Sequence, residues 1–319
     1  MQPPPYEYLA ERRLLTRKLS FWRVAAAVVA LAAVLTVGWR FGAGAGHSGA
    51  HIARIRIDGV IVDDPEMIKL VKSVTASSSV SGVILSISSP GGTTTGAEGL
   101  YDELRRMAAK KPTVAVVDGM AASGAYIAAV AADEIVARGN SMVGSIGVLM
   151  EMPNASKLLQ TVGVTMETIK SSPLKASPNP YEPTSPEARA AIAAMIADSY
   201  DWFKKLVQER RHMSDQELAA VDDGRVFTGR QGMPLKLVDR IGGEREAVAW
   251  LETDRGVAKG LSVRDWKKPR KLDGFGLLGS AADWLGLSEA ADLAAIAGRL
   301  APGRKLDGLA AIWQGPQLN

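Results

Sequence analysis

Ser123 stands where an apolar run, Thr113 to Val117, gives way through Met120-Ala121-Ala122 to the Ala-rich stretch Gly124-Ala125-Tyr126-Ile127. A serine at a helix start has two uses. Its hydroxyl caps the first turn, or it acts as a nucleophile whose developing charge lies near the positive end of the helix dipole. Upstream, Ser89-Pro90-Gly91-Gly92 closes a second apolar run, Ser81 to Ser88. Two glycines after a strand make a tight turn, or they let the backbone approach a ligand with its N–H groups free to donate. An oxyanion site needs two such donors about 3 Å from the developing charge, and Gly92 and Gly124 are the candidates. The glycines form neither a phosphate loop, since no Gly-Lys-Ser/Thr follows, nor a dinucleotide fingerprint, since the spacing is wrong.

A base is harder to find. The chain has three histidines, His47, His51 and His212. The first two fall in a Gly-rich tether and the third in an Arg-rich helical segment, so a Ser-His-Asp triad is not expected. A lysine serves when burial or cationic neighbours keep its amine neutral near pH 7. Lys175 lies about fifty residues after the serine, in Lys170-Ser171-Ser172-Pro173-Leu174-Lys175-Ala176, although composition alone makes any one lysine a solvated side chain. With no cysteine in 319 residues, disulfides, thiolate zinc sites and a cysteine nucleophile are excluded. The net charge of +4, without a basic stripe interleaved with aromatics, gives no reason to expect a nucleic-acid partner. At 47% hydrophobic and 23% charged, the bulk of the chain is globular.

The elements that must position these groups alternate. Ala53 to Val62 reads as strands turning at Asp58-Gly59, and Ala97 to Lys110 has helical spacing. Ser123 to Ala132 reads as a helix, Glu134 to Ala137 and Val143 to Leu149 as strand pieces, Ser156 to Thr161 as a short helix, and Val164 to Ile169 as another strand. Strands alternating with helices predict βαβ units and a largely parallel sheet, an α/β fold. Ser185-Pro186 opens a helix running to about Arg211. Its stripe Ile192, Met195, Ile196, Tyr200, Phe203 and Val207 is core or subunit contact. Beyond about Gly256 a basic segment and a Gly/Ala/Leu/Trp-rich tail read as a separate appendage, residues 256–319.

At the other end, Arg12, Arg13, Arg17 and Lys18 precede an apolar span over 21–41. Trp22 and Trp39 flank it, about 25 Å apart along a helix and thus close to hydrocarbon thickness. Cations before the span favour a cytoplasmic N-terminus, residues 1–20, with the rest of the chain outside. The competing reading is a cleaved signal peptide, but its leader would be long and it lacks a small-x-small site directly after the apolar run. A Gly-rich linker, 42–51, separates the span from the globular part, 52–255.

Residues 52 to about 250 resemble the short, single-repeat form of bacterial signal peptide peptidase A, a membrane-anchored serine-lysine protease of the Clp-protease/crotonase superfamily (peptidase family S49). The resemblance rests on six pieces in order. They are Ser89-Pro90-Gly91-Gly92, Met120-Ala121-Ala122-Ser123-Gly124, Val143-Gly144-Ser145-Ile146-Gly147-Val148, Ile169-Lys170-Ser171 with Lys175, Asp223-Gly224-Arg225-Val226-Phe227-Thr228-Gly229-Arg230, and Val238-Asp239-Arg240-Ile241-Gly242-Gly243. It implies a Clp-protease/crotonase-like superhelical βαβ core behind a transmembrane helix. It makes Ser123 the nucleophile, Lys175 the general base, Ser145 the residue that orients the lysine, and Gly92 and Gly124 the oxyanion donors. It also implies a homo-oligomeric ring whose sites are shared between protomers, with no metal or cofactor. The implied location is the bacterial inner membrane with the catalytic domain outside the cytoplasm, and the implied substrates are cleaved signal peptides and other extended apolar peptides. Two departures stand out. The family commonly has Gly-Gly-Tyr-Tyr after the serine where this chain has Gly124-Ala125-Tyr126-Ile127, and the lysine segment lacks the family's glycine and aspartate, which leaves Lys170 as the fallback base. The competing expectations are a ring scaffold that has lost activity and a crotonase-type acyl-CoA enzyme.

Overall fold

A computed structural model describes residues 21–32, 49–268 and 310–312. The chain divides into two units at Gly49/Ala50. In the first, residues 21–32 are helical (α1). Among the described residues no helix is long and apolar enough to cross a membrane, and residues 33–41 of the expected span lie outside them.

The second unit runs β1 (His51–Asp58), α2 (Pro65–Ala76), β2 (Val80–Ser89), β3 (Gly91–Thr93), α3 (Thr94–Ala108), β4 (Thr113–Ala122), α4 (Gly124–Val130), β5 (Glu134–Ala137) and β6 (Met142–Gly144). It continues with α5 (Ser156–Thr161), α6 (Pro186–Arg211), α7 (Asp215–Ala219), β7 (Val226–Thr228), α8 (Gly229–Gly232), β8 (Arg240–Ile241), α9 (Glu244–Thr253), β9 (Val263–Trp266) and β10 (Ala310–Ile312). Strands β9, β1, β2, β4 and β6 lie side by side and parallel, β7 closes that edge antiparallel to β6, and β5 and β8 branch from β4. This is the α/β arrangement expected from the alternation of strand and helix.

Period-two alternation sorts the central strands into two cores. Ala53, Ile55, Ile57, Val83, Leu85, Ile87, Ala115 and Val117 face the helices α2, α3 and α4. Ile52, Ile84, Val114, Val116 and Val136 face the other way, onto Ala247, Trp250 and Leu251 of α9. A sheet covered on both faces needs consecutive apolar residues, which Val83-Ile84-Leu85 of β2 and Val114-Ala115-Val116-Val117 of β4 supply.

Four expectations change. Val164 to Ile169 forms no strand, and Ile169 is 94% exposed. A β-branched run has nothing to gain from extended geometry without a neighbouring strand to pair with. The strand expected over Val143 to Leu149 stops at Gly144, because Ser145 turns into positive φ (53°). The sheet also does not end at residue 255: β9 pairs with β1 and Val257 joins the second core, while β10 pairs with β3 in a separate two-stranded sheet. Finally, His51 belongs to β1, not to the tether; it is buried and accepts the Trp266 indole N–H at Nε2 (3.1 Å).

Candidate active site

Parallel strands deliver their carboxyl ends to one side of the sheet. In the β2–β4 pairing Ser89 lies opposite Ala121, and in the β4–β6 pairing Ala122 lies opposite Gly144. The residues that come next, Pro90-Gly91-Gly92, Ser123-Gly124 and Ser145, therefore leave three neighbouring strands at the same end.

Ser123 is held in an unusual conformation, φ 55° and ψ −120°, between the last residue of β4 and the first of α4, and it is 1% exposed. A non-glycine residue pays for positive φ with about 1–3 kcal/mol of strain. The surroundings enforce it. The Ser123 N–H donates to Gly144 O (2.8 Å), while the Ser123 carbonyl accepts from Tyr126 N (2.8 Å) and Ile127 N (3.1 Å). The hydroxyl makes no capping bond to α4; Oγ points to Gly147 O at 3.4 Å instead. Of the two uses open to this serine in the sequence, the structure rejects the cap. Gly124 is the first residue of α4, so its N–H has no intrahelical acceptor.

All seven residues of α4 are buried, and Gly124, Ala125, Ala128 and Ala129 let the helix pack closely against α3, α6, β3 and β4. Tyr126 is fully enclosed and donates its hydroxyl to Leu237 O (3.0 Å). Burial holds that phenol well above its usual pKa, hence neutral. At the far end of α4, Arg105 donates to Ala131 O (2.7 Å), and Arg210 donates to Val130 O (2.8 Å) and Ala132 O (2.9 Å). Two guanidiniums thus satisfy the orphan carbonyls at the helix terminus opposite Ser123. Nothing in the sequence marks these two arginines among the chain's many.

Gly92 is a position where only glycine fits. It forms a parallel bridge with Ile61, and a Cβ there would sit 1.7 Å from the Ile61 carbonyl oxygen. Ser89, fully buried, holds the turn: its hydroxyl donates to Gly59 O (2.6 Å) and accepts from Gly91 N (3.1 Å). The Ser145 N–H donates to Arg225 O (2.8 Å).

Lys175 is not gathered into this group. Its side chain is exposed in the segment between α5 and α6, and no hydrogen bond or ion pair joins it to Ser123 or Ser145. Lys170, the fallback base, is engaged otherwise. Its amine is 2.8 Å from Glu182 and donates to Ser177 Oγ (3.2 Å). That bond pulls the Glu182 carboxyl below its ordinary pKa. Lys170 thereby ties the two ends of the Lys175 loop together. The segment presents Val162, Val164, Met166, Ile169 and Leu174 to solvent, next to the exposed Leu158 of α5. The first half of α6 is also exposed at Met195, whereas Phe203, Leu206 and Val207 in the second half are core.

Comparison with known proteins follows the same residues. The profile of "Peptidase family S49" matches residues 105–258 and that of "Clp protease" residues 64–144. A protein of Methanocaldococcus jannaschii named as a protease is 37% identical over 58% of this chain and 60% of its own length. One of Synechocystis sp., also named as a protease, is 33% identical over 75% of this chain and 88% of its own. A protein of Enterococcus faecium named as signal peptide peptidase SppA is 30% identical over 76% of this chain and 72% of its own.

Proposed function

The chain belongs to peptidase family S49 and is a serine peptidase, and on that premise we propose that Ser123 and Lys175 form a serine-lysine dyad that cleaves apolar, extended peptides, among them spent signal peptides, at a membrane. The observation that carries the reading is Ser123 itself. It is strained, pinned by Gly144, and its hydroxyl is not used as a helix cap although it sits at a helix start.

In the proposed reaction the Lys175 amine takes the Ser123 proton as Oγ attacks the scissile carbonyl. The N–H groups of Gly92 and Gly124 stabilise the oxyanion. The lysine then protonates the leaving amine, and water hydrolyses the acyl-enzyme by the reverse sequence. Ser145 orients the lysine amine. Because Lys175 is exposed within its own protomer and sits in a segment lined with uncovered apolar side chains, the lysine acts on the Ser123 of a neighbouring protomer in a homo-oligomeric ring. The apolar span over 21–41, with the basic residues before it, anchors the chain in the inner membrane and leaves the peptidase domain outside the cytoplasm. Apolar signal-peptide cores suit such a site, each buried CH₂ contributing about 0.8 kcal/mol.

The test uses the detergent-solubilised full chain and a fluorogenic apolar peptide. Wild type turns it over, while Ser123→Ala and Lys175→Ala do not, with assembly unchanged by sedimentation. Mixing the two inactive variants restores part of the activity if the dyad is shared between protomers. An assembled Lys175→Ala variant that retains turnover overturns the dyad.

A further inference from the structure

Residues 170–182 form neither helix nor strand, yet the turn around Lys175 is closely bonded. Lys175 N donates to Ser172 O (3.1 Å), and Ser177 N donates to Leu174 O (3.2 Å). The Ser177 hydroxyl reaches back across the turn and donates, at 3.4 Å, to Pro173 O. Ala176 is held at φ 55°, a conformation that a non-glycine residue keeps only where its surroundings impose it. Its carbonyl accepts from Asn179 Nδ2 (3.3 Å).

The Lys170 amine joins this turn to the anchored end of the segment. It donates to Ser177 Oγ (3.2 Å), the same hydroxyl that spans the turn, and it pairs with Glu182 at 2.8 Å. Glu182 is itself fixed. Its N–H donates to Asn179 Oδ1 (3.1 Å) and its carbonyl accepts from Asn154 Nδ2 (3.0 Å). Close by, Pro180 O accepts from Ala155 N (2.8 Å), just before α5. The Lys170 side chain is 14% exposed, so solvent screens this pair less than an ion pair on the open surface.

We infer that Lys170 and Glu182 are positioning residues that fix where the Lys175 amine is presented, with the Ser177 hydroxyl as the link between their ion pair and the turn. The inference rests on the reading of Lys175 as the base of the dyad and deepens it. A lysine carries its charge on a flexible four-carbon stem, and the Lys175 side chain is exposed. Within the protomer, its backbone is what aims it. A base has to lie within about 3 Å of the proton it takes, and a misplacement of about 1 Å costs about 10²-fold in rate.

The experiment uses the detergent-solubilised full chain and the fluorogenic peptide. It compares Lys170→Met, Lys170→Glu, Glu182→Gln and the exchange Lys170→Glu/Glu182→Lys. Each single substitution is expected to lower kcat by about 10- to 100-fold, with KM little changed and assembly unchanged by sedimentation. The exchange restores the ion pair. It returns kcat to within about fivefold of wild type, the deficit of one weak hydrogen bond, because the Ser177 hydroxyl then donates to the carboxylate and not to Pro173 O. Single variants with wild-type kcat, in a chain that Lys175→Ala inactivates, overturn the inference and leave the dyad standing. An exchange variant as inactive as Lys170→Glu alone also overturns it, because the Lys170 amine is then needed for itself and not for its pairing. A loss carried by KM or by failed assembly overturns it too, since the pair then only shapes the loop. Turnover by an assembled Lys175→Ala chain removes the dyad, and the inference with it.

Discussion

Gly92→Ala tests whether the fold and the oxyanion site depend on one close approach. The new methyl would stand 1.7 Å from the Ile61 carbonyl oxygen and 2.4 Å from its carbon. A tolerable carbon–oxygen contact is about 3.3 Å, so β3 and Ile61 must part by roughly 1.6 Å. The obstacle is backbone, which no rotamer change relieves. Parting breaks the Ile61 N to Gly91 O and Thr93 N to Ile61 O bonds, each at a cost of about 1–2 kcal/mol, between the net worth of a hydrogen bond and the penalty for leaving its buried partners unpaired. The total is about 2–4 kcal/mol, less than the stability of about 5–15 kcal/mol typical of a domain, so the fold should survive with a locally opened bridge. At about 2–4 °C per kcal/mol for a domain of this size, Tm falls by roughly 5–15 °C. A displaced Gly92 amide loses its aim, and removal of one oxyanion donor costs about 10²–10³ in kcat. Thermal unfolding by circular dichroism and kcat on the fluorogenic peptide read both quantities. Gly99→Ala is the control: it lies in α3, its added Cβ meets nothing within 4 Å, and it should raise stability slightly without touching kcat. A Gly92→Ala chain with wild-type Tm and kcat would refute both the close approach and the oxyanion assignment.

Two further predictions follow from the same structure. Ser123→Gly and Ser123→Ala both remove the hydroxyl, but only glycine relieves the strain at φ 55°. With about 1–3 kcal/mol of strain set against about 0.5–1 kcal/mol of glycine entropy, Ser123→Gly should be the more stable of the two in urea melts; the reverse order would mean that the conformation is unstrained. Glu217, hydrogen-bonded to Lys236 and to the Ser214 N–H, has its carboxyl pulled down to about 2. A depressed carboxylate contributes stability above its ordinary value near 4.5 that is lost as pH falls toward 2. Glu217→Gln should therefore flatten the acid limb of the Tm–pH profile in that window and leave neutral pH little changed, and an acid limb as steep as wild type would exclude the contribution.

How far the sequence reached can be judged residue by residue. The placing of Ser123 and of the two glycines at strand ends was legible because it depends on local chemistry. Apolar runs, glycine pairs and a small-residue helix each have a signature within ten residues. The helix from Pro186 to Arg211 was legible for the same reason, its cap Ser185 and first-turn proline being adjacent in the chain. Val164 to Ile169 failed because strand formation depends on a neighbour that sequence does not show. The end of the domain at residue 255 failed likewise, since β9 joins the sheet only by lying beside β1, two hundred residues away.

The sequence by itself determined the alternating α/β plan, the candidate nucleophile and the glycine turn, because periodicity and backbone permissiveness are local properties. The tertiary structure alone decided that Ser123 does not cap its helix, that Lys170 pairs with Glu182, and that residues 310–312 lie on the edge of β3 at Gly92. Each of these depends on hydrogen-bond partners brought in from elsewhere in the chain, and a hydrogen bond is fixed by distance and direction in space, not by separation along the sequence.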